Sequence, residues 1–124
     1  MKKFLCAVLF VLVLAGLSYA AEDAGTVSFR DFYAQAQNSL KFERLYAGKY
    51  VTVTGCEVRN IHAEGNDYVL LCSWAGDWVY FIFTAANAEQ IVDLDKGDVV
   101  TIRGIVLRDK YHGFPTLYNC KIIK

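Results

Sequence analysis

The sequence predicts a mainly β protein: a closed barrel of five strands with an N-terminal helix and a short helix between strands three and four. Three observations lead there. β-Branched and aromatic residues alternate with period two from residue 50, fill two further runs at 67–74 and 78–84, and repeat the pattern from residue 100. Two of these runs carry a central glycine, Gly55 and Gly104, where a strand can bend so that a small sheet closes. The 124 residues, 55% hydrophobic and 15% aromatic with a single Pro, are enough for one domain, and 13 Lys+Arg balance 13 Asp+Glu. That composition excludes a disordered tail and a basic nucleic-acid coat protein.

Residues 1–20 read as a secretory signal peptide. Lys2 and Lys3 precede an unbroken apolar run over 4–17, and Ser18-Tyr19-Ala20 forms a small-residue exit before Ala21. The run is shorter than the roughly 20 residues of a spanning helix, so no membrane span is expected after cleavage. Cys6 leaves with the peptide. The remaining chain has eleven basic against thirteen acidic side chains, and an exported, slightly acidic protein makes nucleic-acid coating unlikely. The expected location is the periplasm or the extracellular space.

Residues 21–49 form the N-terminal helical segment. Ser28 and Asp31 resemble a capping box, and Phe29, Phe32, Tyr33, Ala36 and Leu40 recur at helical spacing, which predicts one amphipathic helix through Leu45 that stops near Gly48.

The barrel is expected over 50–124. Val51 and Val53 alternate with Thr52 and Thr54, and the phase slips after Gly55, because Val58 falls on the other parity; a bulge is predicted there. After a turn at 62–66, two apolar runs at 67–74 and 78–84 are joined by Ala75-Gly76-Asp77 as a hairpin. Residues 85–94 read as a short helix, Lys96-Gly97-Asp98 as a turn, Val100-Thr101-Ile102-Arg103-Gly104-Ile105-Val106-Leu107 as the fourth strand, 108–115 as a polar loop and 116–123 as the fifth strand.

This order is that of an OB-fold. Asn38, Tyr46-Ala47-Gly48-Lys49, Val53-Thr54-Gly55, Phe83, Lys96-Gly97-Asp98, Val100-Thr101-Ile102-Arg103-Gly104 and Asn119-Cys120 together resemble the tRNA-anti-like family of bacterial OB-fold proteins. The chain is also similar in plan to BOF-type envelope proteins. Both resemblances imply a binding module, and the family label does not imply tRNA binding. A third-strand cysteine accompanies the C-terminal one in the family pattern; Phe81 stands at that position here. The extra residue after Gly55 is a second departure from the pattern.

Strand alternation places Val69, Leu71, Val79, Phe81 and Phe83 inside the barrel and Tyr68, Leu70, Cys72, Trp74, Trp78, Tyr80 and Ile82 outside. OB-folds bind on the outer surface of their second and third strands, between two loops. Tyr68, Trp74, Trp78 and Tyr80 are therefore the candidate aromatic platform, and the loop residues Arg108, Lys110, Tyr111 and His112 are candidates to grip an anionic or sugar group. The alternative is that the N-terminal helix lies over these rings.

A hairpin symmetric about Glu64 would set Cys56 opposite Cys72 for a disulfide; Cys72 with Cys120, and three free thiols, are the other readings. No Cys-x-x-Cys is present. His62 and His112 stand in separate loops, the aspartates 93, 95 and 98 lack calcium-loop spacing, and no nucleophile motif or phosphate loop occurs, so neither an enzyme nor a metal or other cofactor is expected. The expectation is an exported, non-catalytic module binding a small molecule, glycan or peptide. An envelope protein-interaction or stress module is the alternative, and single-stranded nucleic acid is a more remote one.

Overall fold

The computed structural model describes residues 21–74, 76–108 and 113–123, the side chain of Trp74 apart. The predicted export segment at 1–20 lies outside the described residues. Six strands form one sheet: β1 (Asp23–Ser28), β2 (Tyr50–Glu64), β3 (Asp67–Trp74), β4 (Asp77–Phe83), β5 (Val99–Val106) and β6 (Thr116–Ile123). Their order is β1-β2-β3-β4-β6-β5, and β2 also pairs with β5, so β2 to β6 close a five-stranded barrel with β1 as an extra edge strand.

The fifteen-residue β2 reaches round the barrel because it is bent twice. Gly55 takes φ +70, and the β2–β5 register shifts between Val53↔Ile102 and Cys56↔Val100. Val51 and Val53 before the shift, and Cys56 and Val58 after it, all point into the core, which is the phase slip the sequence displays. A second shift against β3, between Val58↔Cys72 and Asn60↔Leu71, puts Ile61 on the inward side. β2 and β3 then meet at a two-residue turn. Gly65 has φ +61 and Asn66 has no positive φ, as in a type II′ hairpin.

Closure at the far side depends on Gly104. A Cβ there would lie 2.5 Å from Cys120 Sγ and 3.1 Å from Tyr118 O, so β5 and β6 approach too closely for any other residue. Asn119 accommodates the approach with φ +53, where the β5–β6 register skips from Arg103↔Lys121 to Ile105↔Tyr118.

Helical pieces cover both mouths. At the mouth where β2 begins, α1 (Phe29–Ala36) and α2 (Ser39–Tyr46) insert Phe29, Phe32, Phe42 and Tyr46 into the barrel core. Phe32, Phe42 and Tyr46 form a ring cluster with centroids 5.1–5.3 Å apart. The sequence read this segment as one helix, but Asn38 is extended and its side chain accepts from Lys41 N–H at 3.1 Å, capping α2 and ending the run. At the other mouth a 3-10 helix at Ala85–Gln90, shorter than the predicted 85–94 helix, leads into the buried Ile91.

Unpredicted was β1, which runs parallel to the start of β2. It is mostly exposed. Arg103 Nη2 reaches Asp23 Oδ2 at 3.0 Å while its guanidinium lies 4.0 Å from the Tyr50 ring centre, so one side chain pins β1 across β2.

The inner face of β3 differs from the expectation. Leu70 and Cys72 point inward with Val79, Phe81 and Phe83, and Val69 and Leu71 lie on the outer side. The hairpin closes with Trp74 opposite Asp77, so Asp77 belongs to the strand and the turn has two residues rather than three. One residue fewer in the turn reverses the parity of β3 relative to β4.

Candidate functional site

The outer surface of β3 and β4 is built in rows. Ser73 pairs with Trp78, Leu71 with Tyr80, and Val69 with Ile82. β2 extends the rows with Asn60 beside Leu71 and His62 beside Val69. Trp78 and Tyr80 are half-buried, as a ring standing on a sheet with one face accessible should be. Phe114 arrives from the β5–β6 loop and stacks on Tyr80 with ring centres 5.9 Å apart and an interplanar angle of 17°. The loop is held there by Tyr80 N–H donating to Pro115 O at 3.0 Å.

Polar groups adjoin the rings. Arg59, turned outward at the second bulge of β2, donates from Nε to Ser73 Oγ at 3.1 Å and pairs with Glu57 at 3.6 Å. A hollow of about 320 Å³ lined by Ser28, Arg30, Thr54, Glu57 and Ser73 continues the surface toward α1.

The helices border this surface. The Tyr33 phenol donates to Asp77 at the tip of the β3–β4 hairpin, and Arg108 donates to Glu43 of α2. The Asp77 contact, more than any burial, holds the Tyr33 hydroxyl above the ordinary tyrosine range.

Of the residues singled out from sequence, Trp78 and Tyr80 come together on the outer face. Tyr68 does not join them. It pairs with Phe83 on the inward parity and projects from the opposite mouth, beside Ile91 and Val92. Trp74 occupies the inward parity as well, opposite Asp77, and its side chain lies outside the described residues. Arg108 is exposed but engaged by Glu43. Lys110, Tyr111 and His112 lie outside the described residues. Arg59 and Ser73 adjoin this face without having been singled out from sequence, and Phe114 ends the 108–114 loop that was read as a ligand contact. Their signals were the polar Arg59 in an apolar strand and the aromatic at the end of the polar loop. His62, read as a turn residue, is instead in β2 facing outward, with Nε2 3.2 Å from Glu64 Oε1.

Cys56 and Cys72 are not directly opposite, since Val58 opposes Cys72. The symmetric turn about Glu64 is replaced by the shorter turn and the bulge. The Cys56 thiol donates to Val53 O at 3.4 Å, and Cys56, Cys72 and Cys120 are all fully buried free thiols inside the barrel. Contact with Cys72, then burial, pushes the Cys56 thiol far up, and burial does the same to Cys120. Among the described residues no group of His, Cys, Asp and Glu is arranged to hold a metal ion, and no helix is long and apolar enough to cross a membrane.

A closed five-stranded barrel with this strand order and one extra edge strand defines an OB-fold. The chain belongs to the tRNA_anti-like family, whose model matches residues 15–122. It is similar to the crystal structure of a candidate nucleic acid-binding lipoprotein from Klebsiella pneumoniae: 26% identity, TM-score 0.67, covering 80% of this chain and 91% of that one. Two further structures share less. These are the S. pombe Stn1-Ten1 complex (13% identity, TM-score 0.48, 60% and 58% covered) and a replication factor A related protein from Methanobacterium thermoautotrophicum (12%, 0.46, 66% and 87%). No curated protein matches the chain in sequence. The name of the Klebsiella structure describes a binding protein, and no catalytic family is indicated.

Proposed function

We propose that this protein is an exported, non-catalytic OB-fold module that recognises a neutral ring-bearing ligand, an oligosaccharide first among them, on the outer face of β3 and β4. The observation that carries the reading is the Trp78, Tyr80 and Phe114 ring group beside the Arg59–Ser73 pair. Trp78 stacks on the ligand ring, and Arg59 and Ser73 bind its hydroxyls. Lys110, Tyr111 and His112, which lie outside the described residues, stay candidates for this site on the sequence pattern alone. Three charges near this face, on Arg59, Asp77 and Arg108, are already engaged by Glu57, Tyr33 and Glu43, which favours an uncharged ligand over a polyanion. Export rests on the signal-peptide pattern at 1–20, and the lipoprotein name of the Klebsiella structure supports it. The periplasm is the proposed compartment.

Tryptophan fluorescence and calorimetry of the mature protein against neutral oligosaccharides test the reading. Binding that a Trp78→Ala/Tyr80→Ala variant retains at full affinity would count against it. A second reading, single-stranded nucleic acid on the same face, is favoured by the name of the Klebsiella protein. It predicts oligothymidylate binding that falls steeply with salt.

A further inference from the structure

Ser73 belongs to two surfaces. It is the cross-strand neighbour of Trp78, and it also lines the hollow of about 320 Å³ that opens toward α1. Glu57 and Ser73 flank the Val58↔Cys72 pair of the β2–β3 ladder, and Arg59 contacts both, so Trp78, Ser73 and Glu57 form one row across three strands. Neighbouring strands lie about 4.8 Å apart, which gives the row a span of roughly 10 Å. The track from the indole into the hollow is therefore continuous and longer than one sugar ring.

The hollow is polar, with both signs of charge on its wall. Arg30 is exposed and has no ion-pair partner among the described residues, and Glu57 is exposed while pairing with Arg59. Thr54 and Ser73 contribute half-buried hydroxyls, and Ser73, which accepts from Arg59 Nε, keeps its own proton for a ligand. At Gly55, where φ is +70, a Cβ would meet nothing within 4 Å, so the first bulge of β2 leaves this side of the hollow uncovered. A ligand carboxylate here would face Glu57, and a ligand ammonium would face Arg30. Hydroxyl groups, which donate and accept at one atom, satisfy both. The volume lies at the lower end of the roughly 300–1,000 Å³ of small-molecule sites, which is room for one small unit.

We infer that the hollow is a second subsite, holding the next hydroxylated ring of a ligand stacked on Trp78, so that the protein selects neutral saccharides of two or more units over monosaccharides. The inference rests on the outer-face reading and adds the length of the ligand to it. Arg30 donates to hydroxyls of the second ring, Glu57 accepts from them, and Thr54 and Ser73 complete the set.

The probes are glucose, N-acetylglucosamine and their β-1,4-linked dimers, titrated into the mature protein by calorimetry, with amide shifts in NMR for the weaker monomers. The dimer of the better-bound sugar should bind at least about tenfold more tightly than its monomer, because only the dimer reaches the charged groups of the hollow. Thr54→Val and Arg30→Ala should each weaken the dimer at least about fivefold. Should the strand variant misfold, Arg30→Ala alters an exposed side chain and carries the test alone. Equal affinity for monomer and dimer, or full dimer affinity in folded Arg30→Ala, overturns the second subsite; binding that Trp78→Ala still weakens would then leave the outer-face reading standing. No binding of any of these sugars, or dimer binding that Trp78→Ala retains in full, overturns the subsite together with the reading it rests on.

Discussion

The phenol of Tyr33 on α1 donates a hydrogen bond to the carboxylate of Asp77, 44 residues further along at the tip of the β3–β4 hairpin. Together with Arg108 and Glu43, it fastens the helical cap to the β3–β4 hairpin and the β5–β6 loop. The cap therefore sits at the barrel mouth and borders the Trp78 surface.

The Tyr33 contact predicts a loss of stability in alkali. Its folded pKa lies above the ordinary value, about 10 for a free tyrosine, because only the protonated phenol can donate to Asp77. The contribution is fully present below that value and disappears as pH rises through the folded pKa. Tyr33→Phe should cost less than about 1 kcal/mol at neutral pH, since the pair is exposed, and should flatten the alkaline limb of a urea-denaturation pH series. An unchanged alkaline limb would remove Tyr33 as its source.

Gly104→Ala should destabilise the barrel by about 1–3 kcal/mol, because the new methyl meets Cys120 Sγ and the Tyr118 carbonyl. Cys120→Ala removes one of these obstacles. A double-mutant cycle by chemical denaturation should show favourable coupling of at least about 0.5 kcal/mol, and additive losses would mean the crowding is relieved elsewhere.

The three thiols should be inert to aqueous alkylating reagents in the folded protein, since burial and the Cys56–Cys72 contact disfavour thiolate. Denaturation without reductant should expose three alkylatable thiols, Cys56, Cys72 and Cys120, as counted by mass spectrometry. One thiol before reduction and three after it would show that two of them are bridged instead.

Trp78→Ala should weaken an oligosaccharide ligand by about 1–3 kcal/mol if its ring stacks there, read by calorimetry. Tyr68→Ala should not, because Tyr68 projects from the opposite mouth. Equal losses in the two variants would mean that the site spans both regions.

The barrel was legible where local chemistry settles it. The slip in parity between Val53 and Val58 located the Gly55 bulge, and the glycine-centred run at 100–107 marked the strand that returns beside β2. The outer face was half legible. Trp78 and Tyr80 were placed correctly, but Trp74 and Tyr68 were grouped with them because Ala75-Gly76-Asp77 was read as a three-residue connection. With Asp77 in the ladder, parity reverses. The Phe114–Tyr80 stack joins residues that no short spacing relates. β1 has Val27 as its one large apolar residue, and its partner is supplied by distant β2. Asn38 competes as a cap with the helix that its neighbours would continue.

The parallel partnership of β1 with β2 also imposes a timetable. In synthesis from the N-terminus, residues 23–28 emerge before their partners at 50–54, which follow only after both helices. Until then the leading strand has no backbone to dock on. The N-terminal segment therefore completes its structure after the first turn of the barrel is laid down, and nascent chains spend that interval with an open strand at their front.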